Sequence, residues 1–284
     1  MHRIGFVGLG RMGMAMAGRL SEAGLAVSAW NRSARQPPGG VQSAASLEEL
    51  VERSDVLLSM LIDDEATLEV HGRMLAGGRA RGKIFVEMAT IRLETVSRLA
   101  GMVREAGGVF VEAPVVGTVG PAQQGKLVTL AAGDEKVVES LQAVWQAYSR
   151  RVVYCGDTGK GMAMKHCVNN LMSVYFAGLA EALGAGQAAG LSLELMLDVI
   201  LDTPAALPAL APKAEVIKGA ELPVAFSVAG AVKDLGVIVQ SGAGNSMPMA
   251  LTRQALAVFS ETAKAGHADR DLALVARHYL GSER

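Results

Sequence analysis

Lys165 and Asn169 stand four residues apart in a long helical pattern, so they share one helix face. Met162, Met172, Ser173 and Phe176 extend that face. Burying an ammonium without a partner is costly, and burial lowers a lysine pKa from about 10.4 towards neutrality. A lysine so placed suits general-acid chemistry. Periodicity alone favours the plainer alternative, a lysine snorkelling to the surface. A second constellation is suited to phosphate. The run Gly8-Leu9-Gly10-Arg11-Met12-Gly13 follows the apolar stretch Ile4-Gly5-Phe6-Val7 and precedes an apolar helix stripe, Met12, Met16 and Leu20. Gly8 permits a tight turn, Gly10 lets the backbone approach a pyrophosphate, and Gly13 lets the helix pack on the strand. The helix N-terminus then directs backbone N–H groups and a positive dipole end at the phosphates.

A second strand, Leu25–Trp30, ends where such a unit chooses between NAD and NADP. A carboxylate there would bind the ribose 2′-hydroxyl and repel a 2′-phosphate. This chain has Asn31, Arg32 and Ser33 instead, with Arg35 close behind. Arginine offers a planar fork of donors suited to phosphate, so the expected cofactor is NADP(H). The alternative is that Arg32 and Arg35 are solvated loop residues. Met60 and Leu61, at the end of the strand expected over Asp55–Leu61, are also assigned to the cofactor.

Stepping along the chain, apolar runs and helical patterns alternate. Strands are expected at Lys83–Met88, Val109–Pro114, Leu127–Ala132 and Val152–Tyr154. Helices are expected at Ser46–Arg53, Glu65–Ala76, Leu93–Ala106 and Asp134–Ala147. This alternation implies a doubly wound α/β domain with a parallel sheet, a Rossmann domain over residues 1–158. No strand is expected after about Cys155. Residues 159–284 read as an all-α domain that begins with a long helix from Gly159 to about Ala189. Helices follow at Leu193–Leu201, Val228–Ser241, Pro248–Ala265 and Leu272–Tyr279.

The composition narrows the function classes. The 284 residues are half hydrophobic and carry a net charge of −1, so nothing draws the chain to nucleic acid or an anionic membrane. The apolar stretch Leu171–Ala180 falls short of the roughly 20 residues of a membrane span. Cys155 and Cys167 have no metal or redox spacing and read as reduced thiols, and no metal site is expected. A cytoplasmic location is the expectation.

In an open α/β sheet the site lies beyond the carboxyl ends of the strands. There the chain offers Glu87-Met88-Ala89-Thr90 and Glu112-Ala113-Pro114-Val115-Val116-Gly117-Thr118. His166 points to a different face from Lys165, and His2, His71, His267 and His278 lie in no motif. All five read as surface or packing histidines.

The chain resembles the β-hydroxyacid dehydrogenase family, which includes 3-hydroxyisobutyrate dehydrogenases, tartronate semialdehyde reductases and glyoxylate/succinic semialdehyde reductases. The matching motifs are Gly8 to Gly13, Glu112-Ala113-Pro114-Val115, Gly125-Lys126-Leu127, Gly159-Lys160-Gly161 with Met164-Lys165 and Asn169-Asn170, and Lys233-Asp234-Leu235. They run through nearly the whole chain in the family order. The resemblance implies that Lys165 protonates the carbonyl oxygen and that Asn169 helps hold substrate and lysine. It implies that Thr90 lies beside the nicotinamide, that Lys233 reaches cofactor and substrate, and that Asp234 orients substrate. It also implies a homodimer or homotetramer.

One loop departs from the family at two positions. The substrate loop commonly reads Pro-Val-Ser-Gly-Gly, whereas here it is Pro114-Val115-Val116-Gly117-Thr118. Val116 cannot donate the serine's hydrogen bond. Thr118 and the N–H groups of Gly117 and Thr118 remain. A missing donor to a charged group costs about 1.5–3 kcal/mol. The expected reaction is NADPH-dependent reduction of a small semialdehyde, aldehyde acid or keto acid to the hydroxy acid. The alternatives are an imine reductase, whose members usually carry Asp or Tyr where Lys165 stands, and a non-catalytic NADP-binding scaffold.

Overall fold

The computed structural model describes residues 2–280. The chain divides into two compact units, Met1–Val168 and Asn169–Arg284. In the first unit, β1 (Ile4–Val7) leads through the glycine turn into α1 (Arg11–Glu22), followed by β2 (Val27–Trp30) and the short β3 (Gln42–Ser43). Then come α2 (Leu47–Arg53), β4 (Val56–Ser59), α3 (Asp64–Leu75), β5 (Ile84–Glu87), α4 (Leu93–Glu105) and β6 (Val109–Glu112). The helices begin where a short polar side chain satisfies an unpaired N–H: Ser46 accepts from Glu49 N, and Asp63 from Ala66 N.

The sheet order is β3-β2-β1-β4-β5-β6, all parallel. It reverses direction between β1 and β4, and at such a switch point ligands bind beyond the strand ends. Alternate strand residues serve two cores. Ile4, Phe6, Val56, Leu58, Val86 and Val111 pack on one face with Met16 and Leu20 of α1. Val7, Leu57, Phe85 and Phe110 pack on the other with Leu50, Val70, Leu99 and Val103. Strand residues two apart share a face, so a continuous apolar run fills both layers.

The sheet is mostly parallel rather than wholly so. Beyond β6 come β7 (Val115–Val116), α5 (Val119–Gln123) and β8 (Leu127–Gly133), and β8 runs antiparallel to both β6 and β7. Residues 113–126 separate β6 from β8, and β7 within them pairs antiparallel with β8 instead of crossing over to a parallel position. The helix expected over Asp134–Ala147 breaks at Leu141 into α6 (Glu135–Ser140) and α7 (Gln142–Tyr148), and β9 (Ser149–Tyr154) pairs parallel to β8.

The long helix α8 (Lys160–Ala188) starts in the first unit. In the second unit its apolar residues Phe176, Leu179 and Leu183 share a core with α9 (Leu193–Leu201), α10 (Ala214–Ile217), α11 (Val228–Gly244) and α12 (Ala250–Thr262). The last segment, Leu272–Arg277, is 3-10 rather than α-helical, with Asp271 capping Ala273 N. Buried Asp271 also accepts from Ala225 N and pairs with the Lys213 ammonium, which ties this segment to the chain entering α11. Among the described residues, no helix is long and apolar enough to cross a membrane.

One buried carboxyl holds the start of α8. Glu112, the last residue of β6, is fully buried. Its Oε1 accepts from Gly159 N at 2.5 Å and Gly161 N at 3.0 Å, and its Oε2 accepts from Met162 N at 3.3 Å. Burial pushes its pKa from 4.5 up to about 7, against the downward pull of these three N–H groups. Because the folded state holds this proton more tightly, the associated stability is full below about pH 4.5 and is lost as pH rises through about 7. Glu112→Gln removes that dependence. In urea unfolding the wild type should lose on the order of 2–3 kcal/mol relative to the variant between pH 4.5 and 7.5. A stability difference that stays constant across this range would contradict the assignment.

Candidate active site

At the carboxyl end of β1 the glycine turn is shaped by close contacts. Gly8 has φ +94°, and a Cβ there would lie 2.4 Å from the Met60 carbonyl oxygen. A Cβ at Gly13 would lie 1.9 Å from the Gly8 carbonyl oxygen, so only glycine lets α1 sit this close to the turn. At Gly10, the N-cap of α1, a Cβ would meet nothing within 4 Å and would project into open space beside an N-terminus that Gly10 cannot cap with a side chain. These residues fit a pyrophosphate: an open approach, backbone donors and a positive dipole end. Leu9 lies buried beneath the turn, Met12 is half-buried and Arg11 is exposed.

The segment after β2 does two jobs. Asn31 Oδ1 accepts from Leu9 N at 2.9 Å, and Asn31 Nδ2 donates to the carbonyl and hydroxyl of Ser33 at 2.9 and 3.0 Å. The Arg35 guanidinium donates to the Leu9 carbonyl at 2.6 Å. Asn31 and Arg35 therefore brace the glycine turn from both of Leu9's backbone groups. Arg32 and Ser33 are exposed beside them. Met60 and Leu61 continue from β4 and are half-buried, with Met60 N bonded to the Val7 carbonyl.

A row of buried polar residues closes the edge of the next three strands. Ser59, Glu87 and Glu112 stand in register on β4, β5 and β6, and lie on the face that carries Leu57, Phe85 and Phe110. Glu87 accepts from Ser59 Oγ and from Ala89 N, both at 2.7 Å, which holds the loop that carries Thr90. Behind it lies His71 of α3, with Nδ1 2.9 Å from the Thr67 carbonyl and 3.9 Å from Glu87 Oε2. A carbonyl only accepts, so Nδ1 carries the proton. Burial lowers the His71 pKa to about 4 and keeps the ring neutral. His71 is a packing histidine.

His166 is not on the surface. It is buried, and its Nε2 lies 2.9 Å from the Ile91 carbonyl. Ile91 follows Thr90 and His166 follows Lys165, so this bond brings the Thr90 loop and the Lys165 turn of α8 together in the first unit. Sequence reasoning missed both Glu112 and His166 as holders of α8. Each acts on a backbone group distant in sequence, and only the in-register Phe-Val-Glu endings of β5 and β6 hinted at the glutamates.

The Pro114–Thr118 loop leads on from the end of β6. Val116 is half-buried in β7, paired with Val128. Gly117 has φ +129°, and a Cβ there would lie 2.6 Å from a Leu127 methyl. The Thr118 side chain caps no N–H of α5. In the second unit, Asp234 of α11 is buried and accepts from Asn169 Nδ2 at 2.6 Å, and Lys233 Nζ pairs with its other oxygen at 2.6 Å. Asn169, Lys233 and Asp234 thus form one network. The neighbouring Asn170 accepts from Thr252 Oγ1. Cys155 and Cys167 are free cysteines, and no group of metal-ligating side chains occurs among the described residues.

Comparison with known proteins gives the same ancestry from both units. The model for the NAD-binding domain of 6-phosphogluconate dehydrogenase matches residues 3–156. The model for NAD-binding of NADP-dependent 3-hydroxyisobutyrate dehydrogenase matches residues 159–279. The chain is 30% identical to glyoxylate/succinic semialdehyde reductase 1 of Arabidopsis thaliana, over 96% of each protein. It is also 30% identical to the cytokine-like nuclear factor N-PAC of Homo sapiens, over 98% of this chain and 51% of that protein, so it spans about half of that relative's length. The solved 3-hydroxyisobutyrate dehydrogenase of Mycobacterium tuberculosis with L-serine superposes with a TM-score of 0.85 at 26% identity, covering 99% of this chain and 100% of that one. With a nicotinamide-dinucleotide turn at β1 and matches along both units, the chain belongs to the β-hydroxyacid dehydrogenase family of oxidoreductases, the family of the 3-hydroxyisobutyrate dehydrogenases.

Proposed function

We propose that this protein is an NADPH-dependent reductase of a small semialdehyde, aldehyde acid or keto acid, with Lys165 as the proton donor to the carbonyl oxygen. The observation that carries the reading is the His166–Ile91 bond, which sets Lys165 beside the Thr90 loop at the carboxyl edge of the sheet. When bound, NADPH supplies the hydride. Gly8, Leu9, Gly10, Arg11, Met12 and Gly13 hold its pyrophosphate, and Met60, Leu61 and Thr90 line its course along the strand ends. Arg32 and Ser33 meet the 2′-phosphate, while Asn31 and Arg35 act by bracing the turn. Lys165 delivers a proton from Nζ to the developing alkoxide. Asn169, held by Asp234, steadies substrate and lysine, and Lys233 completes that network.

The semialdehyde reductase relative supports the substrate class, since it matches along nearly its whole length. N-PAC, named as a nuclear factor and not as a reductase, is the relative that keeps the rival reading of a binding protein in view, but the intact Lys165 and Asn169 favour catalysis. The test is NADPH and NADH consumption over a panel of small aldehydes and keto acids, with and without a carboxylate. We expect turnover with NADPH, a higher kcat/KM than with NADH, and a loss of most of that preference in Arg32→Ala. Lys165→Ala should lower kcat by about 100-fold or more while NADPH affinity stays nearly unchanged. Full turnover in Lys165→Ala, or equal use of NADH, would overturn the respective assignment.

Val116 sets a second expectation. Val116→Ser restores a donor beside the loop's N–H groups and should raise kcat/KM for carboxylate-bearing substrates by about 10- to 100-fold, with little change for uncharged aldehydes. An equal gain for both classes would show that Val116 does not face the carboxylate.

A further inference from the structure

We infer that Glu112 is a positioning residue for Lys165, acting through the N-terminus of α8; this rests on the reading of Lys165 as proton donor. The start of α8 is glycine-rich and supplies no cap of its own from Gly159 or Gly161. Lys160 N bonds locally to the Asp157 carbonyl, but the N–H groups of Gly159, Gly161 and Met162 are satisfied by Glu112, a carboxyl 47 residues before Gly159 at the end of β6. A local cap would stabilise the helix as a helix and leave it free to move over the sheet. Glu112 ties the helix to the strand edge itself.

The fit is close. A Cβ at Gly161 would lie 2.6 Å from the Leu130 carbonyl oxygen and 3.4 Å from Glu112 Cδ, so the helix start is pressed against β8 and the carboxyl group. Met162 is buried in the same layer as Phe85 and Phe110. One turn further along, His166 donates to the Ile91 carbonyl. Two attachments on successive turns fix both the position of the helix along its axis and its rotation about that axis. Lys165 lies between them. Released at Glu112, the helix would pivot on His166 and carry the Lys165 ammonium away from the Thr90 loop. A misplacement of about 1 Å can cost a proton or group transfer about 100-fold in rate.

The test compares wild type, Glu112→Ala and Glu112→Gln. The readouts are NADPH Kd, kcat and KM on the best carbonyl of the panel, and backbone hydrogen exchange over residues 159–168 in the cofactor-free protein. Glu112→Ala should lower kcat about 100-fold with NADPH Kd changed by no more than about threefold, and exchange should rise in residues 159–168 but not in β1 or β4. Glu112→Gln keeps an oxygen for Gly159 and Gly161 but loses the acceptor for Met162. It should recover kcat to about tenfold below wild type, and it serves alone if the alanine variant does not fold.

Raised exchange with kcat within about threefold of wild type would overturn the inference, since the cap would then be structural only. So would a parallel loss of NADPH affinity and kcat, or a glutamine variant equal to wild type in kcat. A wild type that consumes no NADPH with any carbonyl defeats the proton-donor reading instead, and the exchange data then decide whether Glu112 holds the helix.

Discussion

The acceptance by buried Glu112 of three N–H groups at the start of α8, those of Gly159, Gly161 and Met162, is the constraint on which the rest of the structure depends. It joins the last parallel strand of the sheet to a 29-residue helix that runs on into the second unit. A helix this long must begin somewhere definite, and its first N–H groups must be satisfied. Placing the acceptor on β6 satisfies both needs at once. It carries a cost, since the carboxyl gives up water, and that cost appears in its raised pKa.

Glu112 belongs to a wider pattern. The strands are apolar through their length and turn polar at one end, where Ser59, Glu87 and Glu112 stand side by side. Each of the two glutamates holds a backbone segment that leaves the sheet: Glu87 the Thr90 loop, Glu112 the start of α8. The glycine turn at β1 is braced in the same manner, by Asn31 and Arg35 on Leu9. Side chains thus fix backbone after β1, after β5 and at the start of α8, and this gives a dinucleotide-binding sheet rigid loops for its chemistry.

Features carried by residue type and period were legible in the sequence. The glycine run, the strand–helix alternation and the apolar helical second half all follow from local pattern, and the helix expected from Ser46 starts at the cap that Ser46 provides. Features carried by a distant partner were not. Asn31 and Arg35 read as cofactor ligands from residue type, and that reading held no sign of the hydrogen bonds their side chains make to Leu9. His166 read as surface or packing, yet it anchors α8. The reversal of β8 depends on its antiparallel pairing with β6 and β7, which an apolar run does not reveal. Two-residue β7 is too short to show alternation.

In the proposed function α8 delivers the Lys165 ammonium to the reacting carbonyl as its proton donor. The most direct measurement is chemical rescue of Lys165→Ala by small alkylamines, with NADPH and substrate saturating. Added amines should restore part of the turnover, in proportion to the concentration of their protonated form and ordered by amine pKa. Turnover insensitive to amine identity and concentration, beside normal NADPH binding, would contradict it.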